Sequence, residues 1–192
     1  MDSLRRNLLK ENFNFFKQRR MSKLGQVWIE TVIYTLIGLA VIGILLAVSK
    51  PKIEQMKDKI VIEQTITSLN EISTRIYDVQ IAPGNKRILD LKIAKGKFYV
   101  NSSADKIGWI LDSNYKYSEL GKEVNLGNMK VITKDGGPYL IEIFMEYYPV
   151  NLTSGGLDNY ISFDGNPTPY KMSIENNGNL GNARTNVDVT IN

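Results

Sequence analysis

Residues 23–48 read KLGQVWIETVIYTLIGLAVIGILLAV, and from Thr31 to Val48 the stretch holds 18 residues without a charge. At the α-helical rise those residues span about 27 Å, enough to cross most of a bilayer's hydrocarbon core. A secretory signal has a shorter apolar region followed by a small-x-small cleavage site. Here the apolar run passes into SKPKIEQMKDKIVIEQTITSLNEISTRIYDV with no such site. The simplest reading is a single-pass anchor that remains part of the protein.

The pattern changes beyond Val48. Ile53, Met56, Ile60, Ile66, Leu69, Ile72, Ile76 and Val79 recur at spacings of three, four or six, with Glu54, Lys57, Asp58, Glu63 and Glu71 between them. That spacing predicts an amphipathic helix with one apolar stripe. Ala82-Pro83-Gly84-Asn85 is a turn signal that ends it. A continuous helix over the 54 residues from Gln26 to Val79 would be about 80 Å long, more than an ordinary globular domain houses. Its second half needs a partner surface. Pro51 removes one helical hydrogen bond and crowds the preceding turn, so a kink or unwound segment is expected near Ser49–Lys52. Gly38 and Gly43 lower helix rigidity, but their five-residue spacing is not GxxxG.

After Pro83 the reading is β. Leu89, Leu91 and Ile93 alternate with Asp90 and Lys92, and Phe98 and Val100 follow a turn at Gly96. Trp109–Leu111, Lys130–Thr133, Tyr139–Val150, Tyr160–Phe163, Tyr170–Ile174 and Val187–Ile191 complete the series, the run from Tyr139 to Val150 being the longest. Short strands separated by Gly, Asn, Asp and Pro predict an antiparallel sheet or sandwich. The fold class expected is α+β: a long N-terminal helix packed on a C-terminal antiparallel β head. No internal repeat is present.

Composition removes several chemistries. The 192 residues contain no Cys and no His. Ser-His-Asp and Cys-His nucleophiles are excluded, as are zinc sites built on imidazole or thiolate. A carboxylate-based enzyme survives that cut. The net charge of +4 is unevenly placed. Residues 1–25 carry seven basic side chains against two acidic ones, leaving 17 basic against 18 acidic in the rest. The excess sits ahead of the apolar run, where it acts as a topogenic signal, so no nucleic-acid partner is expected. It predicts a cytoplasmic N-terminus and an external head, although Lys50, Lys52, Lys57 and Lys59 lie on the far side.

Within Lys23–Glu30 a basic residue and Gly25 precede the apolar run, and Glu30 sits five residues after that glycine. A carboxylate at a hydrophobic edge needs a reason, since insertion of one at a helix centre costs about 2.5–3.5 kcal/mol. This segment resembles the class III signal of type IV prepilins, and Gln first with Glu fifth in the mature chain is similar to an archaeal pilin subgroup. Trp28 and Tyr34 stand where that subgroup has Ser and Leu, and the glycine-rich start of archaellins is missing. The likeness covers about residues 21–80.

The resemblance implies a prepilin peptidase cutting between Gly25 and Gln26, with the hydrophobic helix kept and Glu30 used in assembly. It implies a leader over 1–25, a membrane and filament-core helix over 26–50, an amphipathic helix over 51–82 and an extracellular head over 83–192. Residues 1–20 have two readings. Translation from Met21 gives the five-residue leader MSKLG; alternatively they form a cytoplasmic amphipathic segment in which Leu4, Leu8, Phe15 and Phe16 lie beside basic residues.

The function expected is that of a structural subunit in an extracellular pilus-like filament for adhesion or surface attachment. The chain would be a single-pass membrane protein first and cell-surface filament afterwards. Partners implied are other copies of itself, the prepilin peptidase, a pilus assembly ATPase with its membrane platform, and lipid before assembly. No catalytic residue, metal or cofactor is expected. A pseudopilin-like component of a secretion or uptake machine shares the same N-terminus. A membrane-anchored extracellular binding domain needs neither the cut at Gly25 nor a role for Glu30.

Other motifs read as follows. Asn101-Ser102-Ser103 and Asn151-Leu152-Thr153 are N-x-[ST] sequons in expected surface regions, candidates for glycosylation at Asn101 and Asn151. Asp135-Gly136-Gly137 and Asp164-Gly165-Asn166 read as turns, since neither has the spaced oxygen ligands of a calcium loop. Tyr139, Tyr147 and Tyr148 read as part of a half-buried strand.

Overall fold

A computed structural model describes residues 23–180 and 184–192. The leader readings for residues 1–22 lie outside the described residues. The chain divides into two compact units, Met1–Pro51 and Lys52–Asn192. Helix α1 is assigned over Lys23–Val79, with Pro51 inside it. The unwinding expected at Ser49–Lys52 is absent, because the helical assignment is unbroken there. Proline's fixed φ is itself a helical value, so the chain keeps helical backbone through Pro51 although one hydrogen bond is lost.

In the second unit the helix ends at Val79 and a turn leads to Asn85. Asn176, itself buried, closes that end: its Nδ2 donates to the Val79 carbonyl at 2.9 Å. The helix's orphan carbonyl is thereby satisfied by a side chain from the head. Ten strands follow among the described residues: β1 (Lys86–Leu91), β2 (Lys97–Asn101), β3 (Lys106–Ser113), β4 (Glu123–Leu126), β5 (Met129–Asp135), β6 (Tyr139–Glu146), β7 (Val150–Thr153), β8 (Tyr160–Asp164), β9 (Tyr170–Leu180) and β10 (Arg184–Ile191). They form a four-stranded sheet in the order β1-β9-β10-β7 and a six-stranded sheet in the order β4-β5-β6-β3-β2-β8. The α+β class expected from sequence is the fold found.

Two details differ from the sequence reading. The run Tyr139–Val150 is not one strand. β6 stops at Glu146, the chain turns through Tyr147–Pro149, and β7 begins at Val150 in the other sheet. Pro149 has no N–H for a ladder, so the run breaks beside it. The four-stranded sheet is also mixed, since β10 pairs with β7 in parallel.

The core of this unit joins helix and both sheets. Ile62, Leu69, Ile72, Ile76 and Val79 are fully buried with Phe98, Trp109, Ile141, Ile174 and Val189. The expected single stripe is therefore only half right. Ile53, Met56 and Ile60 are each more than half exposed, and Ile62 takes their place in the core. The six-residue gap from Ile60 to Ile66 explains this: six residues turn a helix by about 240°, which moves the stripe onto another face.

Gly108 has a visible packing role. A Cβ there would lie 2.5 Å from the hydroxyl of Tyr99, whose ring occupies that space.

Candidate assembly surface

From Val27 to Glu54 every residue of α1 is exposed. None of the apolar window that qualifies the helix to cross a membrane is buried. Among the large side chains Trp28 is 69% exposed, Tyr34 71% and Leu46 66%. The polar groups in the run are turned inward on the backbone: Thr31 Oγ1 donates to the Val27 carbonyl at 2.9 Å, and Thr35 Oγ1 to that of Thr31 at 2.8 Å. Such back-bonding satisfies a hydroxyl where no water is present. Cβ atoms added at Gly38 or Gly43 would meet nothing within 4 Å, so both glycines leave open notches on the helix surface. Gly25 and Gln26 lie within the helical assignment, and Glu30 is exposed at the start of the apolar run, one turn beyond Gln26.

The two sequon residues fall in the head. Asn101 ends β2 and is partly exposed, while Asn151 lies within β7 beside β10. Of the tyrosines singled out, Tyr147 is buried and Tyr148 is 70% exposed. Asp135 and Asp164 each end a strand, at the mouths of turns.

The head is held to its helix by a group the sequence did not mark. Asp58, on the buried side of α1, accepts from Lys95 Nζ at 2.5 Å and from Asn114 N and Nδ2 at 2.6 and 2.9 Å. Burial pushes its carboxyl up, but the Lys95 ammonium and the two Asn114 donors outweigh this and hold it below the ordinary carboxylate range. Its partners lie 37 and 56 residues away, so no local spacing could have announced them.

A second knot joins the two sheets. Asp105 adopts a left-handed conformation with φ 47°. Its carboxylate accepts from Leu152 N at 2.8 Å and pairs with Arg184, whose guanidinium also donates to the Val150 carbonyl.

On the outer face of the six-stranded sheet, Tyr99 donates to Glu142 at 2.8 Å and Lys134 bonds the same carboxylate at 2.7 Å. Burial and the neighbouring Glu142 carboxylate push the Tyr99 hydroxyl well above its usual range, so it stays protonated and donates. Burial also raises Tyr147. Each of these shifted groups is tied into a strand-to-strand or helix-to-head contact.

Compared with family models, curated proteins and solved structures, the chain matches none.

Proposed function

We propose that the chain is a structural subunit of a type IV pilus-like extracellular filament, anchored in the membrane by α1 before assembly and joined to other copies through that helix afterwards. The observation that carries this reading is the fully exposed apolar run of α1 beside a head with its own closed core. Contiguous apolar surface on that scale marks a membrane or protein interface. In the reading, a prepilin peptidase cuts between Gly25 and Gln26, and an assembly ATPase with its membrane platform draws the subunit from lipid into the fibre.

Cleavage would create an α-ammonium on Gln26, about 6 Å along the helix axis from Glu30. In a fibre core that excludes water, a carboxylate and an ammonium are each strongly disfavoured alone. The amine of one subunit set against Glu30 of the next offsets both costs and fixes axial register. A simple helix-start role for Glu30 would be worth only about 0.3–1 kcal/mol through the helix dipole.

The test is the N-terminus of the protein taken from sheared cell-surface material, together with Glu30→Val. The expected result is a chain beginning at Gln26, and a Glu30→Val protein that is cut and inserted normally but is nearly missing from filaments. A mature chain that keeps residues 1–25, or is never found in the sheared fraction, overturns the filament reading. Wild-type filament yield from Glu30→Val overturns the pairing alone.

A further inference from the structure

The two sequons receive opposite treatment from the fold. Asn151 Nδ2 donates to Asn186 Oδ1 at 3.2 Å, and the Thr153 hydroxyl donates to Asp188 Oδ1 at 2.7 Å. Leu152 between them is buried, with its backbone N–H held by Asp105. A glycosyl transferase must grip both the amide and the hydroxyl of a sequon, and here both are engaged across the β7–β10 pair. Asn101 is different. It forms the last rung of β2, opposite Lys106 on one side and Tyr160 on the other. It is partly exposed, makes no side-chain bond to the 3-10 turn that follows, and Ser103 is exposed.

The ground beside Asn101 is aromatic. Tyr99, two residues earlier, lies on the same strand face. Its ring stacks on that of Tyr160 with centroids 5.6 Å apart and planes at 23°. Tyr99 is buried, whereas Tyr160 remains 56% exposed. A pyranose has an apolar face of C–H groups, and the negative face of an aromatic ring is a favourable surface for them.

We propose that Asn101 is the acceptor of an N-linked glycan whose first sugar rests on Tyr160, and that Asn151 is left unmodified in the folded head. The donor is a sugar carried on a polyprenyl diphosphate. Asn101 Nδ2 forms a bond to the sugar's C1 as the C1–O bond to the diphosphate breaks. The electron pair leaves with the diphosphate, and the amide proton passes to a base of the transferase. The proposal rests on the outward placement of the head in the filament reading, since the transferase must reach it.

The experiment is peptide mass spectrometry on the full chain purified from the cells that make it, with protease digestion of intact cells in parallel. The expected result is a glycan mass on the peptide holding Asn101 and none on that holding Asn151. Asn101→Gln and Ser103→Ala each abolish the increment, while Ser102→Ala and Asn151→Gln keep it. A bare Asn101, or sugar on Asn151 alone, overturns the site. If the head is digested from outside while Asn101 is bare, the site fails and the outward placement stands; if the head is protected, the placement itself fails. Tyr160→Ala should retain the glycan but erase the drop in thermal midpoint that Asn101→Gln causes in the Tyr160 protein. An equal drop in both backgrounds overturns the stacking.

Discussion

Two 18-residue windows of α1 invite comparison, Thr31–Val48 and Ile62–Val79. In the first every residue is exposed, and in the second Ile62, Thr65, Leu69, Ile72, Ser73, Ile76 and Val79 are buried. The more apolar window is the uncovered one. Hydrophobicity therefore does not decide burial within this chain; the presence of a facing surface does. The β head supplies that surface to the second window. Burying a large aliphatic side chain contributes about 1.5–3 kcal/mol, and within the single chain the first window leaves that stabilisation unrealised.

The strongest way to break this comparison is to separate the windows. A chain beginning at Lys52 should be soluble and unfold cooperatively in urea, whereas the full chain should partition into detergent or membranes. The difference should be all or none in a sedimentation assay. An insoluble Lys52–Asn192 without a cooperative transition would show that the head depends on the first window.

Single substitutions sharpen it next. Ile72 is fully buried and Ile60 is 53% exposed. In the Lys52–Asn192 chain, Ile72→Ala should cost about 2–5 kcal/mol from urea midpoints. Ile60→Ala should stay within about 0.5 kcal/mol. Similar losses at both positions would mean that the outward face of the helix is also packed.

Much of this was legible in the sequence, and what was missed has a common physical cause. The apolar run, the helix end near Ala82–Asn85 and most strands follow from local periodicity and turn chemistry, which act over a few residues. β4 was not foreseen because Glu123-Val124-Asn125-Leu126 is largely exposed and lacks a buried alternation to betray it. The parallel pairing of β7 with β10, the crossing between sheets at Tyr147–Pro149 and the Asp58 knot all depend on partners distant in sequence. For the proposed assembly surface, Gly25, Gln26 and Glu30 carry a local motif. In sequence Asp58 reads as one more charge between apolar positions of a helix, and its burial and partners come from the fold.

Asp58 gives a smaller and pH-dependent difference. Its folded-state pKa is lowered from 3.8, so its contribution is fully present above about pH 4. It is lost as pH falls through the lowered folded value, because the unfolded chain binds the proton first. At pH 7, Asp58→Asn in the Lys52–Asn192 chain should cost about 1.5–3 kcal/mol, the range for hydrogen bonds to a charged group. The gap to wild type should narrow as pH drops below about 4. Glu142 is also held low, where burial is outweighed by Lys134 and Tyr99, so the wild-type chain should keep some acid sensitivity after Asp58 is replaced. A gap independent of pH between 2 and 7, in round figures about five units of titration, would assign the cost to shape and not to charge.

The smallest expected effect on stability tests where one regime gives way to the other. Pro51 marks the division between compact units, yet Ile53, Met56 and Ile60 behave like the first window: they belong to the head's unit and remain 51%, 66% and 53% exposed. They point away from the core that Ile62 enters two residues later. If uncovered apolar surface is reserved for partners outside the chain, these three side chains add to it without adding to the head's own stability. Replacing all three with Gln in the Lys52–Asn192 chain should shift the urea midpoint by no more than surface changes do, about 0.5 kcal/mol each. The same replacement in the full chain should reduce incorporation into filaments while leaving membrane insertion intact, since Thr31–Val48 is untouched. A large loss of head stability would place the border at Pro51 and make this stripe part of the fold. Unchanged stability with unchanged filament yield would place the end of the assembly surface at Val48, with Ile53, Met56 and Ile60 as ordinary scattered surface hydrophobics.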